Sequence, residues 1–284
     1  MKIGYVLDTT LDSDAGVQQY FKGLARFMLQ NGHEVRFLVP PSRDCIEFKD
    51  YIIPFGRNIT LKGNANTVPT VFLTRKRKIK KVLKKESFDI IHVSAPFSPF
   101  LGATVISEAK CPVVITYTTL SMSNAYRLGA NVLKIILSRS YKKIDEYIAI
   151  SEAAKKEAED TIPGNYKIIP IGVDLQKYSP SIKKLKKFSD GKLNVLTLGR
   201  LEKRKGQKYL IKAFARVRKK FDNVRLIIVS DGPERKNLEK LAKKLKIDYP
   251  DVNWTVKKRF HIVPLQLSEE ERKTTDAVIL GICW

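Results

Sequence analysis

Residues 3–39 read IGYVLDTTLDSDAGVQQYFKGLARFMLQNGHEVRFLV, and this stretch decides the fold. Ile3 to Asp8 is a short apolar run of strand length. After a loop ending at Gly16, Val17, Tyr20, Phe21, Leu24, Phe27 and Met28 recur at helical spacing until Asn31-Gly32 supplies a stop. Glu34 to Val39 is then a second strand. A strand, a helix and a strand in about 35 residues is one parallel crossover unit, and the pattern repeats down the chain. Further strands are predicted at Tyr51 to Phe55, Asp89 to Val93, Pro112 to Tyr117, Glu146 to Ile150 and Tyr166 to Ile171, with helices between most of them. Together, residues 1–171 predict one doubly wound α/β domain. Residues 172–192, with Pro180, several Ser and the run IKKLKK, have the composition of an exposed connection. A second unit starts at Leu193, with strands at Leu193 to Gly199 and Val224 to Val229 and helices at Gln207 to Phe221 and Glu234 to Lys246. Beyond Val252 to Val256 the pattern lapses, so residues 193–284 are expected to form an incomplete second domain of the same Rossmann-like kind.

The chain has 284 residues, 43% of them hydrophobic, enough for two ordinary cores. Neither a signal peptide nor an apolar run of membrane-spanning length is readable, so the expected location is cytoplasmic. Cys45, Cys111 and Cys283 have no metal-like spacing and form no disulfide framework. The formal net charge is +24. Such an excess predicts an anionic partner and leaves open an anionic membrane surface, nucleic acid, or a lysine-enriched surface with no specific partner. No nucleic-acid module or aromatic stacking run is present, so no specific nucleic acid is expected.

Several segments bear residues suited to chemistry. The loop from Thr9 to Gly16 leaves a strand and enters a helix, where Gly16 permits backbone amides to approach a phosphate; alternatively, Ser13 or Asp14 only caps the helix. Asp12 and Asp14 form a D-x-D pair, read as a cap rather than a metal site, and no metal is expected. In LGRLEKRKG, Arg200 and Lys205 stand just past the carboxyl end of a strand, the edge at which α/β sheets bind ligands. Two such cations suit one diphosphate and the charge that develops on it as it departs. In FLTRKRKIKKVLKKE, Phe72, Ile79, Val82 and Leu83 form a narrow apolar stripe on a helix otherwise covered by Arg75, Arg77, Lys78, Lys80, Lys81, Lys84 and Lys85. Such a helix suits an anionic lipid surface or is an ordinary solvated surface helix. His33, His92 and His261 are scattered, and no nucleophile is paired with one. The first strand is not followed by G-x-G-x-x-G, which disfavours a dinucleotide-dependent oxidoreductase.

In order and spacing, GVQQYFKGLARFMLQNGHEV, FDIIHVSAPFSP, PVVITYTT, EYIAISEAAK, IIPIGVD, LNVLTLGRLEKRKG and VRLIIVSDGPERKNLEKLAKKL resemble the retaining glycosyltransferase family 4, built on the two-domain GT-B architecture. The similarity is greatest to its phosphatidylinositol mannosyltransferase-like members. The resemblance implies transfer of a hexose from a nucleoside diphosphate sugar to a hydroxyl acceptor, with retention, no metal and no cofactor beyond that co-substrate. It implies acceptor on the N-terminal domain, donor on the C-terminal domain and reaction in the cleft between. Arg200 and Lys205 match the donor-diphosphate pair, Gly16 the loop glycine facing it, and Gly232 a position beside the nucleoside. Gln18 matches an acceptor contact, and the basic helix from Arg75 matches a membrane-docking helix, which brings lipid acceptors and a peripheral membrane location into the expectation. Thr118 stands where the family carries an active-site histidine, Ser94 replaces the second histidine of H-x-H, and Ile171 replaces the asparagine of P-N-G-V-D. The E-x7-E segment has no counterpart before Trp284, so a truncated, inactive relative that binds lipid or protein is the alternative expectation.

Overall fold

The computed structural model describes residues 1–12, 15–63, 66–72, 74–119, 137–175, 188–247, 252–255 and 277–279. The chain divides into two compact units, Met1–Val173 and Asp174–Trp284. No helix among the described residues is long and apolar enough to cross a membrane.

The first unit is built on a seven-stranded, fully parallel sheet. Its strands are β1 (Lys2–Val6), β2 (Glu34–Val39), β3 (Ile52–Pro54), β6 (Ile90–Ala95), β7 (Val113–Tyr117), β8 (Glu146–Ala149) and β9 (Tyr166–Ile168), in the spatial order β3-β2-β1-β6-β7-β8-β9. Successive residues of a strand face opposite sides, so burial on both sides requires two cores. On one face Ile3, Tyr5, Leu7, Val35, Phe37 and Val39 pack under helix α1 (Gly16–Gln30), whose Tyr20, Phe21 and Ala25 are buried. On the other, Val6, Leu38, Ile91, Val93 and Ile115 pack with buried residues of α2 (Lys76–Glu86), α3 (Gly102–Glu108) and α4 (Glu152–Thr161). The expected stop of α1 is present: Asn31 is its C-cap, and Gly32 adopts φ 76° while its N–H donates to the carbonyl of Leu29.

Two sequence expectations are corrected here. Helix α1 has Ala15 as its N-cap, a residue with no side-chain acceptor; Ser13 and Asp14 lie outside the described residues. Phe72 is not part of the basic helix. It ends an antiparallel pair, β4 (Arg57–Gly63) with β5 (Asn66–Phe72), that the sequence pattern did not announce, and its ring packs edge-on to Phe100 with centroids 4.9 Å apart. The helix begins only at Lys76, with Arg75 as N-cap, and its fully buried residue is Ile79.

The second unit has a four-stranded parallel sheet in the order β12-β11-β10-β13, formed by β10 (Leu193–Leu198), β11 (Val224–Val229), β12 (Val252–Thr255) and β13 (Ala277–Ile279). Helices α5 (Gln207–Arg218) and α6 (Arg235–Lys244) bury Ile211, Phe214, Leu238 and Ala242 against Leu226 and Ile228. Part of the segment read as a connection packs within this unit: Asp190 pairs with the Arg225 guanidinium at 2.8 Å, and that group lies over the Phe188 ring.

Candidate functional site

In the second unit β10 pairs with β11 on one side and with β13 on the other. The chain order reverses at β10, and such a reversal leaves a crevice beyond the carboxyl ends of parallel strands. The loop following β10 carries Arg200, Lys203, Arg204 and Lys205. Its first half is riveted to the loop after β11. The Gly199 N–H donates to Val229 at 3.2 Å and that of Leu201 to Asp231 at 3.1 Å, while the Leu201 carbonyl accepts from Glu234 at 3.0 Å. Leu201 itself is fully buried. Gly232 lies so close that a Cβ there would stand 2.5 Å from the Leu201 oxygen and 2.7 Å from its nitrogen. Only glycine fits this approach, which gives Gly232 a packing reason to be there.

The second half of the loop is a 3-10 turn, Lys203–Lys205, in which the Lys205 N–H donates to the Glu202 carbonyl at 3.0 Å. Gly206 follows at φ 72°, a left-handed conformation glycine adopts without strain, and α5 starts at the next residue. Buried Gln207 turns its side-chain amide back to donate to the carbonyls of Arg200 at 3.2 Å and Gly199 at 3.4 Å. Glu202 is buried, and its two oxygens are divided between guanidinium groups: Oε1 takes Arg200 Nε and Oε2 takes Arg204 Nε, both at 2.9 Å. The Arg200 side chain remains 52% exposed. Arg200, Lys205 and Gly232 are therefore brought together in one loop cluster, at the head of a helix with no acidic residue in its first turn.

In the first unit the reversal falls at β1, which pairs with β2 and β6. Asp8, just past β1, accepts from the Ser98 N–H at 2.6 Å, the Ser98 hydroxyl at 2.7 Å and the Gly102 N–H at 3.3 Å, tying the loop after β1 to that after β6. Burial pushes its carboxyl up to about 6, against the opposing pull of these donors. Gln18, buried on the first turns of α1, donates to the Thr9 hydroxyl at 2.9 Å and the Thr10 carbonyl at 3.1 Å. Its amide nitrogen thus shapes the loop that leads to Gly16, the first residue of α1. Asp12 accepts from the Asp44 N–H at 2.8 Å, which gives this half of the D-x-D pair a structural task.

At the end of β7, Thr118 donates its N–H to the Ala95 carbonyl at 3.2 Å, and its hydroxyl oxygen is buried with no hydrogen-bond partner among the described residues. Beside it, His92 Nε2 and Thr116 Oγ1 lie 2.6 Å apart, with the Tyr20 hydroxyl 3.5 Å from the same oxygen. Burial lowers the His92 pKa to about 4, so the ring is neutral at neutral pH. Neither Asp8 nor the His92–Thr116 pair stood out in the sequence; the signal for Asp8 was only its place after the first strand.

The basic helix is a separate feature on α2. Lys78 reaches back to the Pro54 carbonyl at 2.8 Å, and Lys80 pairs with Glu108 at 3.2 Å beside Lys76 at 2.7 Å. Arg75, Arg77, Lys81 and Lys84 are exposed, and no ion pair joins any of these four to another described residue. His261, Cys283 and Asp14 lie outside the described residues.

Two parallel sheets, each reversing its strand order at its first strand and each carrying its polar loops at the carboxyl edge, define a pair of Rossmann-like folds. The family model for Glycosyltransferase Family 4 matches residues 15–177, and that for Glycosyl transferases group 1 matches residues 179–256. The phosphatidyl-myo-inositol mannosyltransferase of Mycobacterium tuberculosis is 32% identical over 234 residues, covering 82% of this chain and 61% of that protein. The alpha-monoglucosyldiacylglycerol synthase of Streptococcus pneumoniae is 27% identical, covering 87% of this chain and 59% of that protein. Among solved structures, a glycosyltransferase from Rickettsia africae superposes with a TM-score of 0.66 at 14% identity, over 90% of this chain and 68% of that one. The chain belongs to glycosyltransferase family 4, and it spans about three-fifths of the length of these curated relatives.

Two outcomes follow from the geometry. Gly232→Ala should destabilise the second unit by about 1–3 kcal/mol, because its methyl meets backbone rather than a movable side chain; a denaturant midpoint equal to wild type would show the contact to be slack. Asp8 holds its proton more tightly folded than unfolded, so its contribution is greatest below the unfolded value and is lost as pH rises toward about 6. The stability of wild type relative to Asp8→Asn should therefore fall between pH 4 and 6 and level off above, as read from unfolding midpoints across that range.

Proposed function

We propose that this chain transfers a hexose from a nucleoside diphosphate sugar to a hydroxyl acceptor on a membrane lipid, with retention at the anomeric carbon and without a metal. The observation that carries it is the cationic loop at residues 199–206. Its backbone is fixed by Leu201, Gly232 and Gln207, and its charges stand at the strand-order reversal of a family 4 chain. In the reaction the acceptor oxygen bonds to the anomeric carbon as the bond from that carbon to the β-phosphate oxygen breaks. The hydroxyl proton passes to the departing phosphate. Arg200 and Lys205 would stabilise the charge growing there, work that a metal does elsewhere. Gly16 would offer its backbone to the diphosphate, Gly232 would lie beside the nucleoside, and Gln18 and Thr118 would line the acceptor side. The buried Thr118 hydroxyl, with no partner among the described residues, supports its assignment, since such a group gains when a ligand supplies its bond.

Lipid as acceptor is supported by two observations. Both named relatives are, by name, enzymes of lipid glycosylation. Helix α2 turns Arg77, Lys81 and Lys84 outward, and the same helix, with Arg75, Lys78 and Lys80, would rest on an anionic surface, giving the protein a peripheral membrane location.

Arg200→Ala and Lys205→Ala should each lower kcat/KM by about 100-fold in a product assay with a nucleoside diphosphate hexose. Unchanged turnover in both would remove them from the mechanism. Replacing Arg77, Lys81 and Lys84 together by alanine should weaken binding to phosphatidylglycerol vesicles about 100-fold, at about 1 kcal/mol per charge. Wild-type and variant chains should bind phosphatidylcholine vesicles equally poorly; equal binding to the anionic vesicles would sink the docking role of α2.

A further inference from the structure

We infer that Glu202 is a positioning residue that presets Arg200, together with Arg204 as an additional cation, for an incoming diphosphate; this rests on the donor reading of the loop. Glu202 is the acidic residue in a turn that carries Arg200, Lys203, Arg204 and Lys205. A carboxylate merely diluting that charge would sit in solvent. This one is 5% exposed, and each of its oxygens meets a different guanidinium at 2.9 Å. The shortest contact of each is through Nε, the inner nitrogen of a planar group that carries five N–H donors. Glu202 also fixes the turn through its backbone, whose carbonyl accepts from Lys205. One side chain therefore orders two long, rotamer-rich cations before any ligand arrives, the ordering that binding would otherwise have to supply.

The sign of one substitution separates positioning from plain electrostatics. Glu202→Gln removes a negative charge beside the anion site, so on charge alone nucleoside diphosphate should bind more tightly. If Glu202 positions the arginines, binding weakens, because a neutral amide has one acceptor oxygen and cannot hold both guanidinium groups. Calorimetric titration of the whole chain with UDP, GDP and inorganic pyrophosphate should show about tenfold weaker binding for Glu202→Gln. Glu202→Asp keeps the charge but is one methylene too short to reach both groups, and should weaken binding severalfold; Arg204→Ala should do likewise. A folded Gln or Asp variant with wild-type or tighter affinity overturns the role of Glu202 and leaves the donor reading standing. If the Gln variant does not fold, the Asp variant decides. Wild-type chain that binds none of the three probes overturns this inference and the donor reading together.

Discussion

In each sheet one strand is hydrogen-bonded on both sides to strands that come later in the chain, β1 between β2 and β6, and β10 between β11 and β13. Because all of these strands run in the same direction, the chain leaves them at a common edge and then turns to opposite sides of the reversal. Backbone emerging there has no strand beside it to pair with. Its polar groups must be satisfied by neighbouring loops or by a ligand. Nearly every residue with a claim on chemistry stands at one of these two edges.

The two edges meet that demand by different means. In the first unit the solution is chiefly hydrogen bonding: Asp8 gathers three donors from the loop after β6, and Gln18 holds the loop after β1 from beneath. In the second unit charge is added. The Leu201 backbone and Gly232 lock two loops together, and Glu202 binds its two arginines just beyond. A buried carboxylate is tolerated only with partners of this kind, because taking an ion out of water costs several kcal/mol. The arrangement leaves the cations directed and the acid hidden.

The parallel sheets were legible in the sequence because strands buried on both faces are largely apolar, as in VRLIIV of β11, where all six residues are buried and Arg225 alone is polar. The stop of α1 at Asn31-Gly32 was legible because glycine takes the left-handed conformation that ends a helix. The β4–β5 pair was not: Ile59 and Leu61 alternate with polar residues, but the pattern is short and is interrupted by Gly63, Asn66 and Pro69. Phe72 then fell at helical spacing from Ile79 by coincidence. At the site, Arg200, Lys205 and Gly232 could be picked out by position after strands and by family pattern. Glu202 could not, since one acid among cations reads as ordinary charge alternation. Its burial has no local signature in the sequence. The partners of Asp8 and His92 were hidden likewise, lying 90 and 24 residues away along the chain.

Helix α2 opens with three consecutive cations, Lys76, Arg77 and Lys78, and has no acidic residue in its first turn. That is the end at which positive charge opposes the helix dipole. Glu108 of α3 supplies the missing acid from outside, taking Lys76 and Lys80, which lie one turn apart on the same flank. Buried Ile79 sets the roll of the cylinder about its own axis, and the pairing accords with it. Arg77, Lys81 and Lys84, spaced four and three apart, form a single ridge along it. The helix thus has a keel, and a flat sheet of negative charge would meet it at one angle of rotation rather than many.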